Sequence, residues 1–264
     1  MTISPTNAVA WRRMSAALIT AAVCGAASLH AQDATSVVQA AERDRAAFNA
    51  TGALARYEAA LASAPTNYPL LWRASREAVD LAEAASDAAA RVGYNTKAVT
   101  YARRAVSANA AGADGHFMLA VALGRTALSV GVRERVKYAS EIRSEALAAV
   151  TLEPTHAGAL HVLGVWNAEI MRLNGFARFA AKNFLGGKVF DQASWSEATR
   201  YLEGAVAADP TRITHRLDLA AIYADTGDKT KARASCDAVQ RLPSVEFNDQ
   251  RYKQQCEALL ARLR

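Results

Sequence analysis

Three histidines, His116, His161 and His215, stand near the starts of three successive amphipathic segments. An imidazole exchanges between neutral and charged forms near neutral pH, so a row of them suits an acidic peptide tail. The competing reading is that they cap and pack the junctions between segments. Trp72, Arg73 and Arg76 form a second group. Trp72 and Arg76 are four apart and share a helix face, where they stack or present a carboxylate clamp. Alternatively, Trp72 belongs to the core and the arginines to a solvated edge. Trp166, Asn167 and Arg172 form a third group. Asn167 stands where the surrounding pattern expects tyrosine, a breach that marks either a polar ligand contact or a hydrogen bond to the following insert. His156 and His161 are five apart and do not share a helix face, so they make no metal pair. No Cys-x-x-Cys or His-Cys spacing suggests zinc, and no Ser-His-Asp or Cys-His set can be assembled. Neither a metal nor a cofactor is expected.

Such residues need helices to position them. Half of the chain is apolar, alanine dominates and aromatics are few, a composition that favours helix because alanine loses no side-chain entropy there. Alternating Val, Ile and Thr runs are missing, so the fold class is all-α. The net charge is +6, and a chain starting at Gln32 carries +4, having lost Arg12 and Arg13. Acids and bases are interspersed, unlike the concentrated basic face of a nucleic-acid binder, and no nucleic acid is expected as a partner.

One template recurs. Ala198, Leu202 and Ala205 occupy one helix face and Pro210 closes the unit. The same order appears in Ala53, Tyr57, Ala60 and Pro65; in Ala98, Ala102 and Ala105, with Ala110 in the proline place; in Ile142, Ala146, Ala149 and Pro154; and in Ala232, Cys236 and Val239, with Pro243 one residue early. First-helix signatures precede two of these units, Leu163-Gly164 before Ala198 and Leu219-Ala220 with Tyr223 and the turn residue Gly227 before Ala232. These are the marks of tetratricopeptide repeats. The expected architecture is a right-handed superhelix of about five tetratricopeptide-like helix pairs, the first helices lining a concave groove. Asn248 to Leu263 reads as a C-terminal capping helix, with Tyr252, Cys256, Leu259, Leu260 and Leu263 inward and Gln250, Arg251, Gln254 and Glu257 toward water. Stacking is obligatory, because a single pair cannot bury its own apolar stripe.

The spacing is stretched in three repeats. Extra residues in repeat two predict one long helix over Tyr68 to Ala90, and repeat three carries more over SVGVRERVKYASE. The largest insert runs over 171–194. Within it, residues 175–190 carry Phe176, Phe179, Ala180, Phe184 and Leu185 on a stripe, with Arg178, Lys182 and Lys188 off it and no acid between Glu169 and Asp191. A basic amphipathic helix of this kind lies on an anionic membrane surface or docks on a partner. Its other reading is a helix folded back across the groove. Gly186-Gly187 is a helix stop and not a phosphate loop.

Residues 1–31 read as a secretory signal: Arg12 and Arg13, an apolar stretch over 14–28, and Ala31 just before Gln32. The stretch is shorter than a permanent bilayer span. Cys24 allows a weaker lipoprotein reading, and Arg12-Arg13 lacks the rest of a twin-arginine pattern. The helical repeat domain is then 32–264, periplasmic or secreted. An oxidising compartment permits a disulfide between Cys236 and Cys256; otherwise they are two small buried hydrophobes.

LLWRASREAVDLAE (70–83), AVTYARRAVSANAAGADGHFMLAVAL (98–123) and EALAAVTLEPTHAGALHVLGVW (145–166), with the basic insert that follows, resemble the regulator of microtubule dynamics family over residues 50–264. The resemblance implies an all-helical tetratricopeptide-like domain that binds partners and catalyses nothing known. Eukaryotic relatives are associated with microtubules and mitochondria. This chain carries a leader of bacterial type in place of an organelle anchor, so the fold alone is carried over. The sequence therefore points to a non-enzymatic exported scaffold that binds a protein or peptide in its concave groove. The alternatives are a peripheral membrane module using 175–190, and an unrecognised helical enzyme or small-ligand carrier.

Overall fold

The computed structural model describes residues 34–173 and 188–263. The leader reading for 1–31 and most of the 175–190 insert lie outside the described residues. Within them the chain is helical throughout: α1 (34–46), α2 (Ala50–Ser63), α3 (Tyr68–Ala84), α4 (Ala88–Ala108), α5 (Ala113–Ala127), α6 (Val132–Leu152), α7 (Ala157–Arg172), a 3-10 turn (Lys188–Gln192), α8 (Trp195–Ala208), α9 (Ile213–Asp225), α10 (Lys229–Arg241) and α11 (Asp249–Arg262).

Helix starts follow from side chains that satisfy otherwise orphaned backbone N–H groups. Asn49 accepts from Gly52 N, Asn67 from Leu70 N, Asp87 from Ala90 N, Ser194 from Glu197 N and Asp228 from Lys231 N. Asp87 corrects the long helix expected over Tyr68 to Ala90. The chain leaves the helix at Ala85, and the Asp87 cap starts a new one at Ala88. The extra residues of repeat two therefore lengthen the second helix, whose first turns, Ala88 to Gly93, stand exposed. Likewise, the extra residues of repeat three lengthen α6.

Five helix pairs result: α3 with α4, α5 with α6, α7 with α8 and α9 with α10 pack closely, α1 is tied to α2 through Arg56–Asp44 and Tyr57–Glu42, and α11 covers the last pair. The repeating template is buried as its spacing requires. Ala98, Ala102 and Ala105 are inaccessible, as are Ala198, Leu202, Ala205, Ala232, Cys236 and Val239. First helices of neighbouring pairs also touch one another, α3 on α5, α5 on α7 and α7 on α9. That closer spacing on one side curves the stack and makes the first helices its inner, concave layer. The first helix of repeat one, α1, carries no repeat motif, yet it completes the pattern.

Two glycines are required by geometry. Gly227 has φ +86° and ends α9, with Asp228 N donating to Tyr223 O at 2.8 Å and Gly227 N to Ala224 O at 3.1 Å, a Schellman stop. Gly164 lets α7 close on α8: a Cβ there would stand 2.6 Å from Leu202 Cγ and 3.1 Å from the carbonyl oxygen of Ala198. Backbone on the far side cannot step aside as a side-chain tip would. Gly164→Ala is therefore expected to destabilise by about 1–3 kcal/mol despite alanine's better helix propensity. A thermal melt unchanged from wild type would contradict this packing.

Candidate functional site

The concave face begins with charge. Arg45, at the end of α1, is 7 % exposed and donates to Glu77 at 2.9 Å and Asp80 at 2.7 Å, both on α3. Glu77 is fully buried and also accepts from Arg76. Burial pushes the Glu77 carboxyl above its ordinary range, although Arg76 and Arg45 pull the other way. Burial opposes the charge on Arg45 too, but Asp80, Glu77 and Glu246 outweigh it and hold the guanidinium more firmly protonated than usual. The third of those carboxylates comes from the other end of the chain.

The link between α10 and α11 turns inward and crosses this face. Glu246 places one carboxylate oxygen on Arg45 and the other on Arg212, the residue before α9. Phe247 packs against the core of the first repeats. Asn248 donates to the carbonyl oxygen of Asp80 at 3.2 Å, Arg251 reaches the carbonyl oxygen of Glu83, and the Tyr252 hydroxyl donates to the Glu83 carboxylate at 2.7 Å. Arg125 of α5 pairs with the same Glu83 carboxylate at 2.5 Å. The C-terminal segment thus meets helices that precede it by as many as 201 residues. Cys236 and Cys256 are joined by a disulfide, Cα–Cα 5.4 Å, that ties α10 to α11 on either side of this link. Asp249 Oδ2 accepts from Val245 N at 2.9 Å and Glu246 N at 2.7 Å and so shapes the turn.

Beyond the link, the concave face stays open between α9 and α11. Two adjoining clefts of about 310 and 380 Å3 are lined by Leu217, Asp218, Ala221 and Gln255, and by Arg172, Asp225 and Arg262. Alanines line both walls, Ala221 from α9 and Ala258 from α11.

A histidine pair borders this opening. Nδ1 of His215 lies 2.9 Å from Nδ1 of His161, whose Nε2 lies 3.1 Å from the Asp218 carboxylate. One neutral arrangement satisfies both contacts: His161 donates from Nε2 to Asp218, and His215 donates from Nδ1 to His161. Burial, with His161, Arg212 and His156 nearby, pushes the His215 pKa down to about 2. The unfolded chain, with a pKa of about 6.5, therefore binds a proton that the folded chain refuses between those two values. Stability from this residue is complete above about pH 6.5 and is lost as pH falls below it, by at most about 1.4 kcal/mol per pH unit. Urea midpoints of His215→Gln measured from pH 7 to pH 4.5 are expected to fall less steeply than those of wild type. Equal slopes would contradict the buried neutral imidazole.

The other residues singled out in the sequence divide by position. Arg73 stacks on the Trp72 ring at 4.0 Å and Arg76 lies 5.6 Å from its centre. Both arginines, however, are engaged with Glu42 of α1 at 3.3 and 2.7 Å. They hold repeat one to repeat two. His116 bridges α5 to Glu145 of α6 at 2.6 Å and to the carbonyl oxygen of Ala110 at 3.0 Å. Trp166 is buried and donates to the carbonyl oxygen of Ala139 at 2.8 Å. Asn167 is buried as well; its amide donates to Leu163 O at 2.8 Å and its oxygen accepts from Ser194 N at 3.2 Å. Neither offers a surface to a ligand, and Asn167 instead joins the two ends of the large insert. Arg172 alone of its group reaches the open cleft, paired with Asp225 at 2.7 Å. The histidines do not form a row, since only His161 and His215 meet. Arg45, Glu77, Glu246 and Phe247 are not among the residues the sequence singles out. The single signal for them is an acid and an aromatic side by side in a non-helical link. Among the described residues no cluster suits a metal ion, and no helix is long and apolar enough to cross a membrane.

Residues 32–264 match the family described as Regulator of microtubule dynamics protein 1-3. Regulator of microtubule dynamics protein 1 of Bos taurus is 25 % identical over 142 residues, 53 % of this chain and 44 % of that protein. The protein of the same name in Mus musculus is 25 % identical over 144 residues, 53 % of this chain and 46 % of that one. The match thus spans less than half the length of these relatives. Among solved structures, a thermophilic TPR protein of Thermus thermophilus superposes with a TM-score of 0.63 at 19 % identity, over 86 % of this chain and 98 % of the other.

Proposed function

The chain belongs to the regulator of microtubule dynamics protein 1-3 family, and on that premise we propose that it is a non-catalytic scaffold that holds a protein or peptide segment along its concave face. The observation that supports this most is that a non-helical stretch of polypeptide already lies there: the link around Glu246 is held by the side chains of Arg45 and Arg212 and by the Asp80 carbonyl oxygen of α3, which accepts from Asn248. A face that can seat one non-helical segment has the reach and the hydrogen-bonding groups to seat another. The open clefts beside it give such a segment somewhere to run. The role named for the curated relatives is left with them, because the match covers less than half of each.

The compartment is part of the proposal. The leader pattern at 1–31 and a disulfide between Cys236 and Cys256 both fit an exported, periplasmic or secreted chain. The membrane alternative rests on residues 175–190, mostly outside the described residues, and on their basic amphipathic pattern alone.

A photocrosslinking amino acid placed at Ala221 or Gln255 in the clefts, compared with Thr100 on the outer layer, tests the scaffold reading. Adducts from native envelope that form at the cleft positions and not at Thr100 are the expected result. Equal labelling at all three, or none, would remove it. Flotation with anionic vesicles at low salt, lost when Arg178, Lys182 and Lys188 are changed to Glu, would transfer the function to the insert.

A further inference from the structure

We propose that the concave face recognises peptide segments that carry a carboxylate side chain next to an aromatic one, and that the chain's own Glu246-Phe247 is the resident competitor for that site. The inference rests on the scaffold reading above and names its ligand chemistry.

The link is not repeat core. It follows the last helix pair in sequence, yet Phe247 packs on the cluster of the earlier repeats, alone among the described hydrophobic residues beyond Tyr201. Its neighbour Glu246 is bound through both oxygens by two guanidinium groups that belong to distant repeats. A carboxylate held between two arginines, beside a partly buried ring packed on the core, is a two-point contact that another peptide can copy. Elsewhere the link is held unevenly: Val245 is 55 % exposed and Pro243 is exposed too, whereas Asn248 is buried against the Asp80 carbonyl.

The site also survives removal of its occupant. Arg45 keeps Glu77 and Asp80 as partners when Glu246 leaves. Arg212 has Glu246 as its one ion-pair partner among the described residues, so release of the link frees a guanidinium on the groove for an incoming carboxylate. The disulfide keeps α11 on α10 meanwhile, which lets the link swing out without unravelling the cap. A segment in trans with the same side chains replaces each contact in kind.

The test uses the full oxidised chain and a fluorescent peptide of sequence LPSVEFND, the protein's own residues 242–249, read by anisotropy. Wild type is expected to bind it weakly. The variant Glu246→Ala with Phe247→Ala, which empties the site, is expected to bind at least roughly tenfold more tightly, as loss of one charge-assisted contact of the competitor requires. Adding Arg212→Ala to that variant, or changing the probe's Glu to Gln and Phe to Ala, is expected to abolish the gain. Circular dichroism checks each fold, and Glu246→Gln alone serves where the double variant fails to fold. Equal binding by wild type and emptied variant, or binding indifferent to the probe's Glu and Phe, overturns the proposal. Absence of probe binding while Ala221 and Gln255 still crosslink a partner overturns it and leaves the scaffold reading standing. Absence of both removes the two together.

Discussion

Replacing Arg45 with alanine is expected to lower the unfolding free energy by about 3–5 kcal/mol, the cost of leaving a buried charge without its partner. The residue is 7 % exposed and Glu77 beneath it is fully buried. With Arg45 gone, Glu77 retains only Arg76, and Asp80 and Glu246 lose the cation they share. Three segments of the chain then lose their shared tie: α1, α3 and the link before α11. The magnitude follows from breaking the network and not from the worth of the ion pairs themselves. Replacing both Arg45 and Glu77 by apolar residues of similar size is accordingly expected to recover much of the loss, since a well-packed apolar pair often matches a buried ion pair. Urea unfolding of the single and double variants decides the matter. A single variant as stable as wild type would show that the network carries no burden in the fold.

Cys236→Ser with Cys256→Ser is expected to cost about 3 kcal/mol, the loop-closure value for a sequence separation of 20 residues. Both sulfur atoms are buried between α10 and α11, so the two hydroxyls also enter an apolar contact. Reduction of the wild-type chain is expected to give a loss of the same order without that polar burden. The effect should be local as well as global. α11 supplies Arg251 and Tyr252 to Glu83, so a loosened cap weakens its grip on α3. Amide exchange that rises in α11 and at the end of α3, in the reduced chain, is the accompanying result. Unchanged denaturation midpoints after reduction would contradict it.

These two predictions rest on features of different visibility. The template of Ala198, Leu202 and Ala205 is legible because helix periodicity and repeat length are both local, and each instance repeats the same packing problem. The cap is legible for the same reason, with Tyr252, Cys256, Leu259 and Leu263 buried on one face. The break at Ala85 is hidden because apolar periodicity runs through it, whereas a single Asp87 side chain sets the new start. Trp166 and Asn167 look available in sequence because a helix wheel cannot tell an inner face from a face covered by the next repeat. The meeting of Glu246 with Arg45 is beyond reach. It depends on how far four small rotations carry the last pair back toward the first, a sum no local pattern records.

The C-terminal link occupies the concave face of the first repeats. Hydrogen exchange of wild type and Phe247→Ala tests this placement most directly, because Phe247 packs on the core of earlier repeats that lie far from it in sequence. Faster exchange in α3, and in α1 beside it, with α4 and α6 unchanged, is the result expected if the link seals that face. Changes confined to the residues flanking 247 would contradict it, and with it the reading of the face as a site already filled by the chain's own segment.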